Sequence, residues 1–313
     1  MEGLRGRSLL QLLDYSRNEI QYLLQLSLKV KKQRRKGEVN QRFTGKTLAM
    51  IFEKRSTRTR CAFETAFGEE GGHPVFLSLD DIQLGTKETV EDTARVLGRM
   101  FDAIEFRGFS QETVRKLAEH SGVPVYNGLT DLFHPTQVLA DLMTVLEIFG
   151  EFEGRTLTFI GDGRNNMANS LLVGCAIMGM NIRICAPKNL HPEQEIQTKA
   201  QSLAVESGAE ILITDKVDEA VPGSDVLYTD VWASMGEEDK MAERISLLKP
   251  YQVNKELFSK TGKAGSVFMH CLPAVKGNEV TEDVFEGQRS VVWEEAENRK
   301  HTIKAVMLAT LGV

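Results

Sequence analysis

The chain has 313 residues, about twice an ordinary domain, which points to two lobes and a sizeable core. Its 38 Lys and Arg against 44 Asp and Glu leave a net charge of −6, which argues against a phosphate-backbone binder held by bulk charge, so nucleic acid is set aside as a partner. Hydrophobic residues at 42% and charged residues at 26% are globular usage, against a disordered, collagen-like or coiled-coil chain.

The run from Leu171 to Met180 is far short of the roughly 20 residues a membrane span needs, so it is predicted to be a buried helix and no membrane partner is expected. The opening stretch MEGLRGRSLLQLLDYS has no continuous apolar segment before a small-residue cleavage site. Cys61, Cys175, Cys185 and Cys271 never form C-x-x-C. A cytoplasmic protein is expected, in which three of the four cysteines simply pack.

Apolar spacing from Ser16 to Gly37 predicts a first helix, with Ser16 and Glu19 as a capping box. Short apolar runs then alternate with amphipathic stretches. They give strands at LAMIFE (48–53), PVFLSL (74–79), AIEF (103–106) and VPVYN, and helices at Thr59–Glu70, Lys87–Phe101 and after Ser110. The pattern resumes beyond Gly150 with strands in RTLTFIGDG, NIRICAP, EILITD and SDVLYTD, and helices at Asn165–Met180 and Pro192–Ser207. The fold class predicted is α/β, with two doubly wound parallel-sheet domains of similar size. The boundaries fall at 1–150 and 151–293. A helix at Pro135–Phe149 bridges the halves, and a last helix at about 294–313 packs back on the first lobe.

Ligands of open α/β sheets sit outside the carboxyl ends of the strands. After the strand at 48–53, the segment EKRSTRTR (53–60) opens a helix, where free N–H groups meet the hydroxyls of Ser56, Thr57 and Thr59 and the guanidinium of Arg58. That suits a phosphate, although the glycines and lysine of a Walker A loop are missing. Arg107 follows a strand, and HPTQ (134–137) begins the bridging helix. Parallel strands would bring both to the same edge, where an Arg, a His and an amide can donate to one oxygen-rich ligand. Arg55, Arg58, Arg60, Arg107, His134 and Arg299 are expected to gather positive charge at one site. In the second half GDGRNN lacks the third glycine of a dinucleotide fingerprint, and the next strand ends without an acid for a ribose. Asn166 instead offers an amide to a polar ligand. Asp230 and Cys271 end two further strands, in DVWASMG and HCLP. One half thus suits an anion and the other an amine.

Together STRTR (56–60), HPTQ, the asparagine of GDGRNN, DVWASMG (230–236), HCLP (270–273) and NR (298–299) resemble the carbamoyltransferases, specifically their ornithine branch, over essentially the whole chain. The resemblance implies a carbamoyl phosphate lobe and an amino-acid lobe joined by two helices. It implies that Ser56, Thr57, Arg58, Thr59 and Arg107 hold the phosphate, while His134, Pro135, Thr136, Gln137, Cys271, Leu272 and Arg299 surround the carbamoyl group. It implies that Gln83, in DIQLG, reaches a neighbouring subunit's site in a homotrimer or a multiple of trimers. Asn166, Asp230, Ser234 and Met235 match ornithine-binding positions, and the S-M-G segment separates this branch from the aspartate enzymes.

The catalytic set expected is Arg58, Arg107, His134, Asp230 and Cys271, with no metal and no organic cofactor. The S-M-G segment, with Gly236 as hinge, is expected to act as a lid under ordered substrate binding. A putrescine carbamoyltransferase and a non-catalytic two-lobe amino-acid-binding protein are the alternatives.

Overall fold

The computed structural model describes residues 2–313 apart from 83, 86 and 234–240, with the side chains of Glu2 and Met241 also left aside. Gln83, Ser234, Met235 and Gly236 therefore lie outside the described residues. The chain divides into two compact units, Met1–Met143 with Glu297–Val313, and Thr144–Ala296.

The first unit opens with α1 (Arg17–Arg35). Its predicted capping box forms: Ser16 Oγ accepts the Glu19 N–H at 3.3 Å and Glu19 Oε2 accepts the Ser16 N–H at 2.8 Å. Then follow β1 (Thr47–Phe52), α2 (Arg58–Gly68), β2 (His73–Ser78), α3 (Val90–Met100), β3 (Ala103–Arg107), α4 (Gln111–Ser121), β4 (Val125–Leu129) and α5 (Pro135–Phe149). The helix α3 starts three positions later than predicted from Lys87, because the Thr89 hydroxyl accepts the Asp92 N–H at 3.1 Å and fixes the start at Val90.

The second unit adds β5 (Thr156–Ile160), α6 (Asn166–Met178), β6 (Asn181–Cys185), α7 (Gln194–Ser207), β7 (Ile211–Thr214), α8 (Val217–Ala220), β8 (Val226–Thr229), α9 (Met241–Leu248), α10 (Lys255–Ser259), β9 (Val267–His270) and α11 (Glu282–Phe285). The final helix, α12 (Val292–Leu311), runs from the second unit into the first, as α5 runs from the first into the second.

Both sheets are wholly parallel among the described residues, with strand orders β2-β1-β3-β4 and β7-β6-β5-β8-β9. Central strands covered on both faces must be apolar throughout, and β5 is buried at every position, as β1 is from Leu48 onward. The run predicted from Leu171 is indeed a buried helix, with every residue of α6 from Met167 to Met178 in the core. Among the described residues no helix is long and apolar enough to cross a membrane. Cys175 and Cys185 pack as expected, whereas Cys61 departs from expectation and is exposed on α2.

These strand orders decide where chemistry can occur. In the first sheet β1, β3 and β4 are neighbours, so the segments leaving their carboxyl ends, at 53–60, Arg107 and 130–134, converge. In the second sheet β5, β8 and β9 are neighbours, which converges Asn165, Asp230 and Cys271.

Gly98 sets the approach of α3 to α4, since a Cβ there would lie 1.8 Å from the backbone oxygen of Ser121. No side-chain rotation relieves a clash with a carbonyl. A Gly98→Ala variant should therefore lose about 1–3 kcal/mol through overpacking, exceeding the ~1 kcal/mol helix propensity that alanine adds. A lowered thermal midpoint checks this, and an unchanged or raised one would refute it.

Candidate active site

In the first unit the site is built around one hydroxyl. Thr59, fully buried in the first turn of α2, accepts from Arg107 Nη1 at 3.0 Å and from Arg299 Nη2 at 2.9 Å. Arg107 stands at the end of β3 and Arg299 on α12, and both are buried. With both lone-pair directions used, the Thr59 proton is left to donate outward. Ser56 is half-buried and its Oγ accepts the Thr59 N–H at 3.2 Å, so this helix-start amide, predicted to face an anion, is capped internally. Thr57 is exposed and Arg58 half-buried. Arg60 departs from the expected cluster: it pairs with Glu64 at 3.0 Å and lies 3.8 Å over the Phe76 ring.

His134, Pro135, Thr136 and Gln137 are all buried where α5 begins. The His134 backbone oxygen accepts the Gln137 N–H at 3.1 Å, and its Nδ1 lies 3.4 Å from the Thr136 hydroxyl. Burial, reinforced by Arg299, Arg107 and Arg58, holds the imidazole well below its ordinary pKa, so it is neutral at neutral pH. The Gln137 amide donates to Asp141 Oδ1 one helical turn on, at 2.8 Å, which orients its carbonyl oxygen.

Glu105 lies hidden in the apolar run AIEF, where nothing in the pattern singles it out. Strand alternation puts Ile104 and Phe106 in an apolar cluster and Glu105 on the opposite face with Arg107. Glu105 is fully buried, and neither carboxyl oxygen has a hydrogen-bond partner among the described residues. Gly128 makes room for it, since a Cβ there would stand 2.0 Å from Glu105 Oε1. Burial pushes this carboxyl well above the usual range, only partly opposed by Arg107 and Arg299.

In the second unit Asp230 follows β8 and is buried. Its Oδ1 accepts the Val231 N–H at 2.8 Å and the Cys271 thiol at 3.0 Å, and its Oδ2 accepts from Asn165 Nδ2 at 3.2 Å. Burial raises the Asp230 pKa, with His270, the Cys271 hydrogen bond and the Val231 amide pulling it back. Asn165 was missed. It caps α6 through the Ala168 N–H at 2.8 Å while reaching Asp230, and the predicted Asn166 sits half-buried beside it. Leu272, half-buried, has φ +60°. That left-handed conformation costs an L-residue roughly 1–2 kcal/mol.

Linear spacing suggested no metal-type cluster, but the fold brings Asp230, His270 and Cys271 together with donor atoms within 4.8 Å of one another. These donors are engaged locally: Cys271 donates to Asp230, and His270 Nδ1 accepts the Leu272 N–H.

Strand-end sites on paired parallel sheets, one cationic and one acidic, define a two-substrate transfer enzyme. The family models match the two halves of the chain in turn. Residues 7–147 match the carbamoyl-P binding domain of aspartate/ornithine carbamoyltransferase, and residues 153–310 match its Asp/Orn binding domain. The chain is 65% identical over 309 residues to the ornithine carbamoyltransferase of Caldanaerobacter subterraneus subsp. tengcongensis, covering 99% of each. It is 58% identical to the catabolic ornithine carbamoyltransferase of Bacillus licheniformis, covering 99% of this chain and 98% of the relative. Among solved structures, the ornithine carbamoyltransferase from Pyrococcus furiosus superposes with a TM-score of 0.96 at 44% identity, covering 99% of this chain and 98% of that one. The chain belongs to the aspartate/ornithine carbamoyltransferase family and is an enzyme of the carbamoyltransferase type.

The native state holds the Glu105 proton at pH values where the unfolded chain, with a carboxyl near 4.5, has lost it. The stability attached to this group is complete below that value and is lost as pH rises through the raised native pKa. In a Glu105→Gln variant that slope disappears. The stability of the parent relative to the variant should fall as pH rises above about 4.5, by up to about 1.4 kcal/mol per unit. Denaturant titrations across that range check it, and a pH-independent difference would show an ordinarily titrating carboxyl.

Proposed function

We propose that the protein transfers the carbamoyl group of carbamoyl phosphate to the δ-amine of L-ornithine, giving L-citrulline and phosphate. The observation that carries this reading is the pairing, in one chain, of the Thr59–Arg107–Arg299 group beside a neutral imidazole with the Asp230–Cys271 pair. Relatives at 56–65% identity named ornithine carbamoyltransferase favour ornithine over putrescine as acceptor. A non-catalytic binding protein would have no use for the phosphate-suited helix start.

In this reading 1–150, with the C-terminal helix from about 294, takes carbamoyl phosphate, and 151–293 takes ornithine. Ser56, Thr57, Arg58, Thr59 and Arg107 hold the phosphate. His134, Pro135, Thr136, Gln137, Cys271, Leu272 and Arg299 surround the carbamoyl group, with the oriented Gln137 oxygen suited to its NH₂. Asn166, Asp230, Ser234 and Met235 receive ornithine.

The amine must attack as the neutral base. A lysine-like ammonium, with pKa about 10.4, gives up its proton near pH 7.4 at a cost of about 4 kcal/mol. Asp230, its carboxyl raised by burial, is suited to orient the ammonium and take or relay the proton with Cys271. As nitrogen bonds to the carbonyl carbon, the oxygen gathers charge. Thr59, Arg107 and the neutral His134 donate to it, each donor typically contributing roughly 3 kcal/mol. The carbon–oxygen bond to phosphate then breaks, and Arg58 with its neighbours takes up the departing charge. No electrons change hands between redox states, so the balance requires no redox cofactor.

A homotrimer or a multiple of trimers, with Gln83 contributed to a neighbouring site, completes this reading. In its support, β2 is an edge strand whose residues 74–78 are only half-buried, followed by the exposed Leu79, an edge that calls for cover. The four cysteines, which never form C-x-x-C, suit a reducing cytoplasm. A single site can run the transfer either way, serving arginine biosynthesis or the arginine deiminase pathway.

A citrulline colour assay with carbamoyl phosphate and ornithine, putrescine, aspartate or acetylornithine decides the acceptor. Product with ornithine is expected, and product with putrescine alone would overturn the assignment. Arg58→Gly should abolish carbamoyl phosphate binding, and near-parental turnover would refute the phosphate site.

A further inference from the structure

Behind Cys271 lies a buried polar cluster that the chemistry above does not use. His270, Glu279 and Glu295 are all fully buried, beside an apolar cluster that includes Phe268, Val280 and Phe285. Burying such groups is costly unless they are hydrogen-bonded, so their bonding is specific. Glu295 ties down the end of β9: its Oε2 accepts the His270 N–H at 3.0 Å, and its Oε1 accepts the Tyr228 hydroxyl at 3.0 Å.

The His270 side chain ties down the turn that follows. Its Nδ1 accepts the Leu272 N–H at 2.8 Å. A backbone N–H only donates, so Nδ1 is the acceptor and the ring N–H is at Nε2. That nitrogen faces Glu279 Oε1 at 3.3 Å, an oxygen that also accepts the Val275 N–H at 2.5 Å. Glu279 thus selects the tautomer, and the tautomer holds Leu272. Such a hold is needed, because a leucine at φ +60° stays there only where its surroundings over-determine it.

We propose that His270, oriented by Glu279, is a positioning residue that aims the Cys271–Leu272 backbone at the carbamoyl group. It touches neither substrate and acts only through the turn. This rests on the assignment of Cys271 and Leu272 to the carbamoyl group. A Cys271→Gly variant with parental constants for both substrates would remove that assignment, whatever the His270 series shows.

The test compares His270→Asn, His270→Gln and His270→Ala by steady-state kinetics, with thermal melting to verify folding. Asparagine can set an acceptor oxygen near the Nδ1 position, whereas the glutamine amide reaches toward Nε2. In the Ala and Gln variants KM for carbamoyl phosphate should rise about tenfold, equivalent to ~1.4 kcal/mol. His270→Asn should return it to within about threefold of the parent. Equal impairment of all three folded variants, or none in any, would overturn the proposal. Glu279→Gln keeps the volume and the Oε1 acceptor, and stands whether or not the His270 variants fold. It should remain within about threefold of the parent, whereas a fall in kcat of about a hundredfold at unchanged KM would make the pair a proton relay and overturn the positioning role.

Discussion

A single hydroxyl oxygen, that of Thr59, holds two guanidiniums in place, one from a residue 48 positions later in the chain and one from a residue 240 positions later. Unit charges of like sign about 4 Å apart at an effective dielectric of about 20 repel by roughly 4 kcal/mol, so two arginines do not gather unaided. The shared acceptor opposes that repulsion, and a bound anion would oppose it further. The rest of the first unit follows from this requirement. The strand β3 must deliver Arg107, α2 must begin at Arg58, and the last seventeen residues must return to finish the unit they left. Residues 297–313 therefore supply one arginine of this cluster as well as part of the core.

The second unit solves the opposite problem. It has to keep a carboxylate available in a buried position, and it supplies Asp230 with an amide, a backbone N–H and a thiol as donors. None of these carries a full positive charge. Had an arginine stood there, the acid would be locked in an ion pair and its pKa driven down. With neutral donors the effect of burial prevails and its pKa stays raised. Cys271, which on its own would pass for a small core residue, earns its place as one of these donors.

Much of this was legible in the residues, because period-2 and period-3.6 apolar patterns locate strands and helices, and parallel topology sends loops to one edge. Arg107, His134, Asp230 and Cys271 could be singled out because each ends a strand or opens a helix. Glu105 could not. A lone acid inside an apolar run is indistinguishable from an edge position until its neighbours, Gly128 above all, are known. His270 and Glu279 escaped for a similar reason, since their meaning lies in which ring nitrogen faces a particular N–H. Arg60 falls outside the cluster because linear proximity to Arg58 does not set side-chain direction on a helix, where two positions on means a turn of about 200°. Asn165 lost attention to Asn166 because capping and site-building fall on adjacent positions.

The neutrality of His134 reaches beyond its role as a donor. A charged imidazole would have made the positive field of the arginine cluster stronger in acid and weaker in base. With a neutral ring among permanently charged guanidiniums, the pocket presents one electrostatic face throughout the neutral range. In the proposed reaction the acceptor brings a pH response of its own, since its fraction of free amine rises with pH.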